Sequence, residues 1–146
     1  MRLMGLDVGS HTIGVAVSDA LGLTAQPIKT IRRKSKQEDL AAIKAIISEF
    51  EIAKIVVGLP KNMDGTLGKQ AETIFKWIRN LQEEITLPMI TWDERLSTVG
   101  ASRVLLEADL SREKRKKVID KLAAVLILQG YLDKTREPTN DSTLPA

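Results

Sequence analysis

Three runs patterned as strands follow one another before any helical periodicity begins, and that order restricts the chain to few architectures. Residues 3–8 are largely apolar and end at Asp7-Val8-Gly9-Ser10, a turn signal, while residues 13–19 alternate with β-branched side chains. The two runs read as an antiparallel hairpin. A third extended run at 26–31 follows the turn-prone Ala20-Leu21-Gly22. Helical spacing first appears at 37–50, through Leu40, Ile43, Ile46 and Ile47. A short buried strand at 54–57, bounded by Gly58 and Pro60, leads through a polar loop at 61–68 to a second helix at 70–83. A fifth strand at 87–92 ends abruptly in Asp93-Glu94-Arg95. Ser97 or Thr98 can cap a helix through about Glu107, and Ser111 one through about Leu132. Three antiparallel strands followed by βα units predict an α/β fold with a mixed five-stranded sheet flanked by helices. One domain over residues 1–137 is expected, with a loosely ordered tail at 138–146.

The length of 146 residues suits a single core, and 43% hydrophobic with 28% charged residues is a globular balance. The absence of cysteine excludes disulfides and thiolate metal sites. No eighteen apolar residues run together and the first residues lack a signal-peptide stretch, so a cytoplasmic protein with no membrane partner is expected. The net charge of +3 is less informative than its distribution. Lys29, Arg32, Arg33, Lys34 and Lys36 form one basic cluster, and Arg112, Lys114, Arg115, Lys116, Lys117 and Lys121 a second. Two such clusters suit a polyanion spanning a surface, although a solvated loop and helix face would carry the same pattern.

Three acids stand where acids are costly. Asp7 lies inside an apolar strand between Gly5 and Gly9. Such a carboxylate needs a cation or several hydrogen bonds, or it caps the turn by accepting from the Gly9 and Ser10 backbone. Glu94 follows the fifth strand at the carboxyl edge where open α/β sheets bind ligands. Because neighbours on a strand face opposite ways, only one of Asp93 and Glu94 can reach a given site. Asp120 interrupts a helix apolar over most of its circumference, too far past Ser111 to be its cap, with Ala123, Ala124 and Ile127 on its own face. A solvated outer edge is the other reading for it. Gathered at one point, three carboxylates would stay ionised only beside divalent cations. Oxygen ligands without cysteine or clustered histidine favour Mg²⁺ or Mn²⁺ over zinc. The lone His11 is a turn residue or at most a phosphate contact.

At these residues the chain resembles the bacterial YqgF/RuvX family, whose members have an RNase H-like fold. The matching segments are Gly5-Leu6-Asp7-Val8-Gly9-Ser10 with Ile13-Gly14-Val15-Ala16-Val17-Ser18-Asp19, the loop Val57-Gly58-Leu59-Pro60-Lys61-Asn62-Met63-Asp64-Gly65-Thr66, then Asp93-Glu94-Arg95-Leu96-Ser97-Thr98, and the helix from Asp120 to Leu128. Lys61 is the least typical residue among them. The resemblance implies a metal-dependent nuclease acting on Holliday junctions or on the ends of precursor 16S ribosomal RNA, with Asp7, Glu94 and Asp120 as metal ligands. It implies two cations, one activating water and one stabilising the leaving oxygen. Arg95 with Lys114 or Arg115 would offset charge on the phosphate, and Asn62, Thr66 and the Lys29–Lys36 cluster would track the nucleic-acid backbone.

Two other functions share these residues. Asp7-Val8-Gly9-Ser10 before a second strand also resembles the first phosphate loop of the sugar kinase and actin group, though no Walker loop accompanies it. A non-catalytic nucleic-acid-binding or transcription-associated factor could use the same fold. With 3% aromatic residues, backbone and shape recognition is expected over base stacking. Paired cuts in a junction would require a two-fold homodimer, whereas trimming RNA would not. The sequence leaves DNA or RNA as substrate, and any part for Asp93 or Asp19 in the site, open.

Overall fold

The computed structural model describes residues 1–60, 66–94 and 112–136, with only the backbone over 112–121. The elements are β1 (Arg2–Val8), β2 (Thr12–Ser18), β3 (Ala25–Arg32), α1 (Lys36–Phe50), β4 (Ile52–Leu59), α2 (Lys69–Gln82), β5 (Met89–Asp93) and α3 (Arg112–Arg136). The expected helix near residues 97–107 lies outside the described residues. The sheet order is β3-β2-β1-β4-β5, antiparallel across β1–β2 and β2–β3 and parallel across β1–β4 and β4–β5. This is the mixed five-stranded sheet expected from the sequence.

Period-two patterning divides each strand between two faces. One face carries Met4, Leu6 and Val8 of β1, Ile13, Val15 and Val17 of β2, and Ile55, Val57 and Leu59 of β4. The apolar sides of α1 and α2 cover it through Ile43, Ile46, Ile74, Ile78 and Leu81. The opposite face carries Leu3, Ala16, Val56 and Trp92, covered by Ala124, Ile127, Leu128 and Leu132 of α3. Small residues on that face let the helix come close. A Cβ added to Gly5 would sit 2.6 Å from Leu128 Cβ and 3.0 Å from the Ala124 carbonyl oxygen, and one on Gly58 would collide with Ile127 Cδ1.

Local chemistry sets the ends of the elements. Ser35 caps α1, its hydroxyl accepting from Glu38 N–H at 3.1 Å. Glu51 closes the helix in the left-handed region (φ 52°), donating to the Ile47 and Ser48 carbonyls. β4 begins at once and is longer than the apolar run at 55–57, because its edges pair with Arg2 at one end and Asp93 at the other. α3 likewise outlasts its expected end near Leu132. Asp133 pairs with Arg136 at 2.5 Å, and Arg136 also donates to the Leu23 carbonyl. Asp19 opens the β2–β3 connection and ties it together. Its Oδ1 accepts from Leu23 N–H at 2.7 Å and Thr24 N–H at 3.2 Å, and these bonds, Leu23's foremost, hold its carboxyl below the usual aspartate range.

Candidate active site

β1 and β4 run parallel, so their carboxyl ends finish at the same edge of the sheet. β1 alternates Leu3, Gly5 and Asp7 on the face under α3, since Leu3 belongs to that core and the missing Gly5 side chain would point at Leu128. Asp7 therefore faces α3, half-buried, at the end of β1. On β5, Trp92 is buried under α3, so the next side chain on that face is Glu94 and not Asp93. The packing agrees: Glu94 Cγ lies 3.5 Å from where a Gly58 Cβ would stand, and Glu94 Oε1 is shielded from solvent. The choice between the two adjacent acids, open in the sequence, falls on Glu94.

Glycines flank Asp7 on both neighbouring strands. Asp7 pairs directly with Gly14 on β2. On its other side the register Leu6↔Val57 sets Asp7 beside Gly58 on β4. Asp7 thus stands on a strand whose two neighbours both lack a side chain at its level. Glycine inside a strand is unfavourable unless something approaches the backbone closely. At Gly58 that something is Ile127 of α3, with Glu94 Cγ 3.5 Å from where the Cβ would stand. In the sequence Gly58 stands as the bound of its strand, whereas in the fold it lies inside β4 and takes the close approach of Ile127.

The course of α3 brings a third position to the same edge. Lys54, early in β4, donates to the Tyr131 hydroxyl at 3.4 Å, and Gly58, late in β4, meets Ile127. The helix therefore runs antiparallel to β4, and its N-terminal direction points toward the carboxyl ends of the strands. Position 120 is one turn before Ala124, about 6 Å along the axis, and Asp7 is two residues beyond Gly5, about 6.6 Å along β1. Position 120 also falls within the arc of buried positions Ala123, Ala124, Ile127 and Leu128. The Asp120 side chain lies outside the described residues, as do Asn62, Arg95 and the side chains of Lys114 and Arg115. Thr66 is exposed just before α2. Among the described residues no group of three acidic or histidine side chains could hold a metal, a search that does not reach Asp120.

The turn after Asp7 is tied down from outside. Gly9 N–H donates to the Thr12 carbonyl at 2.8 Å, so it is not the donor that a turn-capping role for Asp7 required. Arg33 donates from Nη1 to the Gly9 carbonyl at 2.7 Å, and its Nε stands 3.7 Å from Asp39 Oδ2. Asp39 is buried in the first turn of α1 and also accepts from Lys34 N–H at 3.0 Å. One member of the basic cluster at residues 29–36 is therefore a strut between α1 and the β1–β2 turn, and not a free phosphate contact. Arg33→Met would leave the Gly9 carbonyl and a buried carboxylate short of a donor, and is expected to cost about 1–3 kcal/mol. Arg33→Lys should recover only part of this, because an ammonium cannot bridge both acceptors with a fixed fork. Urea denaturation midpoints check both, and a midpoint unchanged in Arg33→Met would remove the strut.

The chain is similar to known proteins. Residues 1–134 match the family described as "RuvX: Holliday junction resolvase". A relative from Clostridioides difficile (strain 630) is 63% identical over 132 residues, covering 90% of this chain and 94% of its own. One from Thermoanaerobacter pseudethanolicus is 60% identical over 134 residues, covering 91% and 96%. Both are named "Putative pre-16S rRNA nuclease". Among solved structures, T. thermophilus RuvC in complex with a Holliday junction superposes with a TM-score of 0.56 at 14% identity, covering 93% of this chain and 97% of that one, a likeness of fold. The segments quoted from the sequence, the sheet order and the family match agree, and the chain belongs to the RuvX family.

Proposed function

We propose that this protein is a nuclease that hydrolyses phosphodiester bonds in nucleic acid with Asp7, Glu94 and Asp120 as the ligands of divalent cations, Mg²⁺ or Mn²⁺. The observation that carries the reading is that two carboxylates stand on one face of the sheet at the carboxyl ends of the parallel strands flanking β4. Asp7 and Glu94 face the same side, separated by Gly58, with Gly14 on the far flank of Asp7. The donors are hard oxygens, suited to these cations. Asp120 is included because its backbone position lies one helical turn beyond the contact of Ala124 with Gly5.

A divalent cation held there supplies activation of water and neutralisation of charge at the phosphate. The chain's own residues do the rest. Asp7 and Glu94 present their carboxylates at the sheet edge, where the scissile phosphate would approach the cation they hold. The Gly9–Thr12 and Gly9–Arg33 hydrogen bonds keep the turn after Asp7 from moving as substrate binds. Arg95 and the basic segment around Lys114 and Arg115 offset the negative charge that grows on the phosphate, while Asn62 and Thr66 follow the strand beyond it.

The substrates are precursor 16S ribosomal RNA ends or four-way DNA junctions, in the cytoplasm; paired cutting of a junction would use a two-fold dimer. No helix among the described residues is long and apolar enough to cross a membrane. A cleavage panel of four-way junctions, duplexes, single strands and precursor rRNA, run with Mg²⁺, Mn²⁺ or chelator, tests the reading. Cutting that requires the cation and falls steeply with salt is the expected result. Tight binding without metal-dependent cutting of any of the four would favour a non-catalytic factor on the same fold.

A further inference from the structure

A well-formed cleft lies away from the carboxylate edge. It opens between α1 and α2 on the other side of the sheet, about 410 Å³ in volume. Its lining includes the apolar Leu40, Ile43 and Leu81 and the half-buried Trp77. Its rim is polar and mostly cationic: Arg33, Lys34 and Lys36 against the single acid Asp39, with Ser10 and Asn80 beside them. Asp39 is already engaged by Arg33 and by Lys34 N–H, so the exposed ammonium groups of Lys34 and Lys36 set the charge that a ligand would meet.

We propose that this cleft is a nucleotide-binding subsite, taking a base against Trp77 and the apolar lining of Leu40, Ile43 and Leu81, and the attached phosphate at Lys34 and Lys36. Three features favour that occupant. An aromatic ring within an apolar lining accepts any base by stacking, without reading its edge. Two exposed lysines at the rim supply charge for a phosphate, while Asn80 offers both a donor and an acceptor at the mouth. Position is the third. Ser10 lines the cleft and is three residues from Asp7, so the chain itself limits their separation to about 10 Å. A strand crossing the Gly9–His11 turn from the carboxylate edge would arrive at this cleft. This placement rests on the nuclease reading, whereas the cleft's chemistry does not. The nucleotide is either a flanking unit of the substrate strand or a free mononucleotide.

The chain has two tryptophans, and Trp92 is buried on the opposite face of the sheet. Emission that responds to a ligand in the cleft should therefore come from Trp77. In chelator, so that nothing is cut, the full chain is titrated with a single-stranded pentanucleotide, adenosine 5′-monophosphate, adenosine and inorganic phosphate. The pentanucleotide and the mononucleotide should quench, adenosine should quench only weakly and phosphate not at all. Trp77→Phe should abolish the signal. Lys34→Glu with Lys36→Glu should weaken nucleotide binding and lower its salt slope by about 1 for each lysine on a phosphate. Pentanucleotide binding more than tenfold tighter than the mononucleotide assigns the site to the substrate strand, and equal binding assigns it to free nucleotide. No quenching at millimolar probe, or a lysine double variant with unchanged affinity and slope, overturns the subsite. Metal-dependent cutting, measured separately, then reports on the nuclease reading alone: cutting without quenching removes only the subsite, and quenching without cutting removes only the nuclease.

Discussion

Gly5→Ala is expected to lower the melting temperature by roughly 3–10 °C, the scale for about 1–3 kcal/mol of overpacking in a domain of this size. Alanine has better strand propensity than glycine and restricts the unfolded chain more, so without tertiary contacts the change would be neutral or favourable. The contacts decide otherwise. The added methyl would stand 2.6 Å from Leu128 Cβ and 3.0 Å from the Ala124 carbonyl oxygen, both fixed to the helix backbone. No rotamer change relieves them; α3 as a whole would have to lift from the sheet. Gly58→Ala makes the instructive contrast. Its methyl would meet chiefly Ile127 Cδ1, the far end of a flexible side chain, and Glu94 Cγ at 3.5 Å. It should therefore cost less stability than Gly5→Ala and more activity, because it presses on the Glu94 side chain. Thermal melts of the two variants beside their cutting rates separate the effects. A Gly5→Ala protein that melts with the wild type would mean that the close packing of α3 on β1 does not exist in solution.

The strands and first two helices were legible because their apolar residues recur at two unmistakable periods, and each buried face later found its partner. Their ends were less so. Nothing in Glu51 announces a left-handed cap, and β4 extends past its apolar run only because β1 and β5 offer pairing partners at its two ends. Which of Asp93 and Glu94 shares a face with Asp7 depends on the orientation of Trp92, a consequence of sheet register that local sequence does not carry. Arg33 shows the limit of reading charges as a cluster. The cue was present on the helix rather than in the cluster: Asp39 shares the buried stripe of α1 with Ile43 and Ile46 at spacings of four and seven. A carboxylate on such a stripe requires a nearby donor, and the preceding loop supplies it.

Asp7→Asn should reduce cutting at least about 100-fold, the scale on which a single preorganised electrostatic group acts on a transition state. Glu94→Gln should do the same, while Asp93→Asn, on the other face of β5, should stay close to wild type. Asn and Gln keep the shape of the side chains they replace, so the loss is of charge and not of packing. If the acids act as a unit around shared cations, the double variant should be little worse than the poorer single one. Stability supplies a readout independent of turnover. In chelator Asp7→Asn lowers the negative charge at an edge that carries several acids, so it should melt close to wild type. Adding millimolar Mg²⁺ or Mn²⁺ should raise the wild-type melting temperature, because the cation binds only the folded chain, and should leave Asp7→Asn nearly unmoved. Cutting that survives Asp7→Asn would dismiss Asp7 as a ligand. A wild-type melting temperature indifferent to both cations would mean that the carboxylates beside Gly58 do not form a metal site.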